Sequence, residues 1–151
     1  MTAPLRLTLT VTSRARVPGR ASLRRWAAAA LERAGPVEIG LRIVGLGAAR
    51  ALNRRYRGRD YATNVLAFAP PSYPAPPRRR RLLGDIVICA PVVAREARAQ
   101  RKVLRHHWAH LVVHGVLQLR RVDHRRAADA RRMMRREIRV LRALGFPDPY
   151  G

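Results

Sequence analysis

Val103-Leu104-Arg105-His106-His107-Trp108-Ala109-His110-Leu111-Val112-Val113-His114-Gly115-Val116-Leu117-Gln118-Leu119-Arg120-Arg121-Val122-Asp123-His124 is the stretch around which the rest of the chain is organised, and it holds all 5 histidines of the protein. From Val103 to Leu119 it is mostly apolar and free of proline, which predicts a buried or half-buried helix. On that helix His107, His110, His114 and Gln118 recur at helical steps and share one face, a polar stripe on an apolar rod. A buried polar stripe needs partners. A metal ion can satisfy several imidazoles at once; a neighbouring helix and water are the other solution. His110/His114 and His114/Gln118 each have the i, i+4 spacing that brings two side chains to one point, as in zinc-binding HExxH helices. His124 follows a short segment that can bend back to the stripe, and a third ligand so delivered leaves a fourth position for water, the layout of a catalytic zinc site. A zinc peptidase is disfavoured, because Gly115 stands where that chemistry requires a glutamate base.

Outward from this helix the periodicity changes repeatedly. Leu5, Leu7, Leu9 and Val11 alternate with polar residues and predict a strand, whereas Leu23, Trp26, Ala27, Ala30 and Leu31 follow helical spacing until Gly35-Pro36. Val37, Ile39, Leu41 and Ile43 predict a second strand, and Leu46, Ala49, Leu52 and Tyr56 a short helix. A polar link over residues 56–64 leads into the short apolar strand Val65-Leu66-Ala67-Phe68, so the link is a loop at a sheet end, where sites are often built. Residues 69–81 combine five prolines with Arg78-Arg79-Arg80-Arg81 and read as a cationic surface loop. Leu82 to Cys89 predicts a further strand. Its one carboxylate, Asp85, is either an acceptor for a histidine N–H or an ordinary edge-strand charge. Pro91 suits the first turn of a helix to about Arg101. Ala130, Met133, Met134, Ile138, Leu141 and Leu144 outline a last helix, with the Met pair as core filling. The order β-α-β-α-β-β-α-α-α implies an α+β fold, a small mixed β-sheet packed with helices, in a single domain spanning 1–151.

With 48% hydrophobic residues the chain can build a core, and no apolar run is long enough to span a bilayer. No signal pattern opens the sequence, which together with the single Cys89 leads us to expect a cytoplasmic protein with no disulfide. Charge is the outlier. Lys and Arg number 32 against 9 Asp and Glu, a net +23, and Lys102 is the only lysine. Arginine in place of lysine can follow genomic base composition, but the shortage of carboxylates does not, so a polyanionic partner, nucleic acid first, is expected.

Several separate motifs, in order, are similar to one known family. His114-Gly115-Val116-Leu117-Gln118-Leu119-Arg120-Arg121-Val122-Asp123-His124 resembles H-G-x-L-H-L-x-G-Y-D-H, the signature of the YbeY-type endoribonucleases, the bacterial rRNA maturation factors. Leu52-Asn53, Tyr56-Arg57-Gly58-Arg59-Asp60, Thr63-Asn64-Val65-Leu66, Leu83-Gly84-Asp85-Ile86, His107-Trp108-Ala109-His110 and Asp148-Pro149-Tyr150 match further stretches of the family's pattern. The resemblance implies a zinc-hydrolase-like site on a helix and single-strand-specific cleavage of RNA phosphodiesters by a metal-bound water. It also implies work on the 3′ end of 16S rRNA and in ribosome quality control, with rRNA and the small subunit as partners. It places one zinc ion on His114, Gln118 and His124, with His110 as substitute ligand, and gives catalytic roles to His114 and Arg57. A motif arginine can neutralise charge developing on phosphate, whereas a plain loop arginine would pair with Asp60. Arg59 and the run Arg78, Arg79, Arg80 and Arg81 are the candidate RNA contacts.

Three departures stand out. Gln118 occupies the central histidine position, and an amide oxygen is a poorer zinc ligand than imidazole, so the site is weakened. Arg121-Val122 replace Gly-Tyr, and the last helix is studded with arginines where the family is often acidic. The competing reading is a catalytically impaired relative that acts as a basic rRNA-binding or ribosome-binding assembly factor.

Overall fold

In the computed structural model, which describes residues 4–32, 35–70, 80–120 and 127–151, the elements are β1 (Leu5–Val11), α1 (Arg20–Leu31), β2 (Val37–Val44), α2 (Leu46–Arg57), β3 (Val65–Phe68), β4 (Arg81–Cys89), α3 (Ala90–Ala99), α4 (Leu104–Leu119) and α5 (Ala127–Ala143). The order is the one that hydrophobic periodicity predicts. The described strands form one sheet in the order β1-β2-β4-β3, with β1, β2 and β4 parallel and β3 antiparallel to β4. The fold is α+β with a mixed sheet. β4 starts one residue earlier than expected, because Arg81 pairs with Val37, so the cationic run ends inside the sheet. Arg78 and Arg79 lie outside the described residues.

β4 lies inside the sheet, and its alternating side chains supply both faces. Ile86 and Ile88 enter the main core beneath α4, while Val87 and Cys89 join Val44, Ala49, Leu66 and Val92 on the opposite face. Cys89 is therefore the small core residue expected. Asp85 shares the face of Val87, across the sheet from α4, and is exposed. It is thus not an acceptor for the histidines of α4, because pleat alternation points it away from them, and not an edge-strand charge, because the strand is interior.

α4 packs against α1, α3, α5, β3 and β4, so it is the helix that the other layers share. Trp108, Ala109, Val112, Val113, Val116 and Leu117 are almost fully buried along it. Gly115 marks its crossing of β4: a Cβ there would stand 3.0 Å from Ile86 Cγ2. Gly84 is required for two reasons. Its φ of 145° disfavours any side chain, and a Cβ would collide with the Phe68 carbonyl and the Leu119 side chain. α5 lays Met133, Glu137, Val140 and Leu141 inward. Met134 is 37% exposed, because one residue further turns the side chain off that stripe, so only Met133 of the pair fills the core. Two arginines of α5, Arg136 and Arg139, reach Glu32 at 3.0 and 3.5 Å, beside Arg120 at 3.3 Å.

Candidate metal centre and cleft

The polar stripe of α4 emerges between α3 and α5, and each of these helices supplies it with one carboxylate. Glu96 of α3 lies 2.9 Å from His107 Nε2 through its Oε1. His107 is only 4% exposed, and burial lowers its pKa against the opposing pull of Glu96, which keeps the ring neutral. Glu96 also accepts from Asn64 Nδ2 at 3.0 and 3.3 Å, and Asn64 Oδ1 accepts the Val65 N–H. His107 thus ends a chain of hydrogen bonds that fastens the start of β3 to α3.

Glu137 of α5 serves two rings at once. His110 Nε2 and His114 Nδ1 each lie 2.9 Å from its Oε1, and the Tyr150 hydroxyl lies 3.1 Å from Oε1 and 3.2 Å from Oε2. The carboxylate is 1% exposed. Burial pushes its pKa up, but the hydrogen bonds from His110 and His114 outweigh that and bring it down to about 2. Burial, and then the charge of Glu137, hold the Tyr150 phenol well above its ordinary range.

His110, His114 and Glu137 offer ligand atoms within 4.8 Å of one another, so the group could hold a metal ion. The donor chemistry fits zinc, whose hydrolytic sites combine imidazoles with a carboxylate. His114 reaches Glu137 through Nδ1 only, and its side chain, 28% exposed, keeps Nε2 for another contact. His110 Nδ1 is buried and has no hydrogen-bond partner among the described residues.

Gln118, one turn beyond His114, lines a cleft of about 460 Å³ together with Arg57, Tyr56, Leu66 and Phe68. Arg57 arrives there because α2 stops at it: Gly58 adopts the left-handed conformation, φ 70°, and donates to the Arg54 carbonyl, while the Arg59 N–H donates to the Asn53 carbonyl. Arg57 does not pair with Asp60. Arg50 takes both Asp60 oxygens, at 2.8 and 3.0 Å, which leaves Arg57 along the cleft. Arg59 is exposed beside the Tyr61 hydroxyl.

Of the residues singled out in the sequence, His114 and Gln118 share one face of α4 with His110, and Arg57 meets Gln118 in the cleft. His124 lies outside the described residues. Arg81 lines a separate depression with Val37, Leu83 and Arg120, and Arg80 precedes it at the start of β4. Glu137, Glu96 and Tyr150 escape a reading that looks for histidines. Glu137 had one signal: it sits four residues from both Met133 and Leu141, a charge on the apolar stripe of an arginine-rich helix.

Fold and site define a small α+β domain that carries ligand-type side chains on a central helix beside an arginine-lined cleft. The family model for Endoribonuclease YbeY matches residues 14–145. A protein of Aromatoleum aromaticum named Endoribonuclease YbeY is 50% identical over 99% of this chain and 96% of its own length. One of the same name from Thiobacillus denitrificans is 54% identical over 89% of this chain and 87% of its own. The solution structure of a Thermotoga maritima protein shares the fold, with a TM-score of 0.56 at 20% identity over 93% of this chain and 91% of the other. The chain belongs to the YbeY endoribonuclease family.

Proposed function

We propose that the protein is a metal-dependent endoribonuclease specific for single strands, acting in rRNA processing at the 3′ end of 16S rRNA and in ribosome quality control. The observation that carries this reading is the engagement of His114: one ring nitrogen is held by a buried carboxylate, and Gln118 and the Arg57 cleft follow within one helical turn. His114, Gln118 and His124 would hold one zinc ion, with His110 and Glu137 behind them. A zinc ion so held would supply Lewis-acid chemistry and a water of lowered pKa for attack on a phosphodiester. The protein's own residues do the rest. His114 and Gln118 aim their donors, and Arg57 offers a planar cation to the phosphate oxygens as charge builds on them. Arg59 and the run Arg78–Arg81 would meet the RNA backbone, in keeping with a net charge of +23. The relatives named as endoribonucleases support the same reading. No described helix is long and apolar enough to cross a membrane, and we place the protein in the cytoplasm with rRNA and the small subunit as partners.

The test is bound zinc and cleavage of single-stranded RNA by purified protein, with and without chelator. Metal at one equivalent and chelator-sensitive cleavage are expected; neither metal nor cleavage defeats the proposal. Gln118 favours a second reading, a catalytically impaired rRNA-binding assembly factor. That reading expects RNA binding that weakens with salt but no cleavage.

A further inference from the structure

Glu137 belongs to no motif singled out in the sequence, yet three donors converge on it from two elements besides its own. A carboxylate oxygen can only accept, so each imidazole 2.9 Å away must donate. A neutral imidazole has one N–H. His114 therefore carries its proton on Nδ1 and presents the Nε2 lone pair, whereas His110 carries its proton on Nε2 and turns its lone pair inward, on the buried Nδ1.

We propose that Glu137 is the positioning residue of this site, fixing the tautomer and ring direction of His114 so that Nε2 is its metal-binding atom. His110 then braces the carboxylate instead of ligating. The inference rests on the metal-site reading of His114 given above. A hydrogen-bonded carboxylate behind a ligating histidine is a general device for fixing tautomer and raising ligand basicity. The arrangement here is set deep: Glu137 is 1% exposed and is reached from α4 by two rings and from the C-terminal tail by Tyr150. The His110 and Tyr150 rings meet edge to face at 5.2 Å, and Lys102 Nζ donates to the Pro149 carbonyl at 2.7 Å, so the tail is fastened over the cluster. Tyr150 is then a latch: its hydroxyl limits the directions open to the carboxylate and, through it, to His114.

The test uses the full chain labelled with 15N in its histidines. Metal-free wild type should show His114 protonated at Nδ1, and Glu137→Gln, an isosteric change, should redistribute the proton between the two nitrogens while circular dichroism stays native. Loaded with cadmium-113, wild type should show coupling to His114 Nε2. Coupling to Nδ1, or a metal-free wild-type His114 protonated at Nε2, overturns the proposal. Zinc affinity from chelator competition should fall about 10- to 100-fold in Glu137→Gln and less in Tyr150→Phe. An unchanged affinity in Glu137→Gln also overturns it. If wild type takes up no metal but keeps the Nδ1–H tautomer, the metal-site reading fails and the tautomer assignment stands, so the two failures are told apart.

Discussion

α4 carries two imidazole–carboxylate pairs of equal length that do different things. His107–Glu96 and His114–Glu137 are both 2.9 Å contacts on the same helix, two turns apart. His107 is sealed at 4% exposure, and its carboxylate goes on to bind Asn64, so the pair ties elements together. His114 is 28% exposed, and its carboxylate, 1% exposed, is backed by a second histidine and a tyrosine. The first pair passes its hydrogen bonds on through the carboxylate and keeps the ring buried; the second closes the carboxylate off and leaves the ring partly exposed. Under the proposed function the metal contact falls to the second pair.

Replacing each histidine with alanine breaks the comparison most directly. His114→Ala should lower RNA cleavage by about 10³-fold or more, since the proposed ligand and one donor of the Glu137 network are lost together. His107→Ala should cost about 1–3 kcal/mol of stability by leaving the Glu96 interaction unmade, with kcat nearly unchanged at a temperature where the variant is folded. Urea unfolding and single-turnover cleavage on both variants decide it. Equal losses of activity would show that the stripe works as one unit.

Arg57 sharpens the contrast from the cleft side. Its neighbour Arg50 neutralises Asp60, so Arg57→Ala removes no ion pair to that carboxylate, and its effect should fall on the reaction instead of the fold. A loss of about 10²- to 10³-fold in kcat is expected, the size seen when one group that stabilises developing charge is removed. Arg57→Lys should recover only part of it, because a point charge cannot match a planar fork. A melting temperature that falls in step with activity would instead make Arg57 structural.

Gln118→His runs in the opposite direction. Imidazole in place of an amide should raise zinc affinity by about 10- to 100-fold, and cleavage should rise with it where metal occupancy is limiting. No gain in affinity would mean that the native ligand set does not include position 118.

How much of this could be read from the chain differs by region. The fold was nearly all legible, because β4 and α4 announce themselves by period: Ile86-Val87-Ile88-Cys89 is apolar on both faces, and Val103–Leu119 is apolar with one polar stripe. His114, Gln118 and His110 were legible by spacing on one helix. Glu96 and Glu137 were not, because they reach the stripe from other helices, and no spacing rule relates Glu137 to His114. Asp85 drew attention as the conspicuous carboxylate, and strand alternation puts it on the wrong face. What singles out His114 as the proposed ligand is the difference in burial between His107 and His114, a property of packing that a single sequence does not state.

The smallest expected effect comes from the sealed pair and concerns pH. His107 in the fold has a pKa below its ordinary 6.5 because burial disfavours the charged ring more than Glu96 favours it; His110 on α4 and Lys102 before it also oppose the charge. Below neutral pH the unfolded chain then binds more protons at this position than the folded one, so the contribution of His107 to stability is intact above about 6.5 and is lost as the pH falls. The slope from one such group cannot exceed about 1.4 kcal/mol per pH unit. His107→Gln keeps a donor for Glu96 and does not titrate, so between pH 7 and 5 its unfolding free energy should fall less steeply than that of wild type. Groups remote from position 107 titrate alike in both proteins and cancel in the difference. Parallel curves for the two would place the charged ring of His107 in the fold at no disadvantage, and the distinction between a sealed pair and an open one would then lose its electrostatic basis.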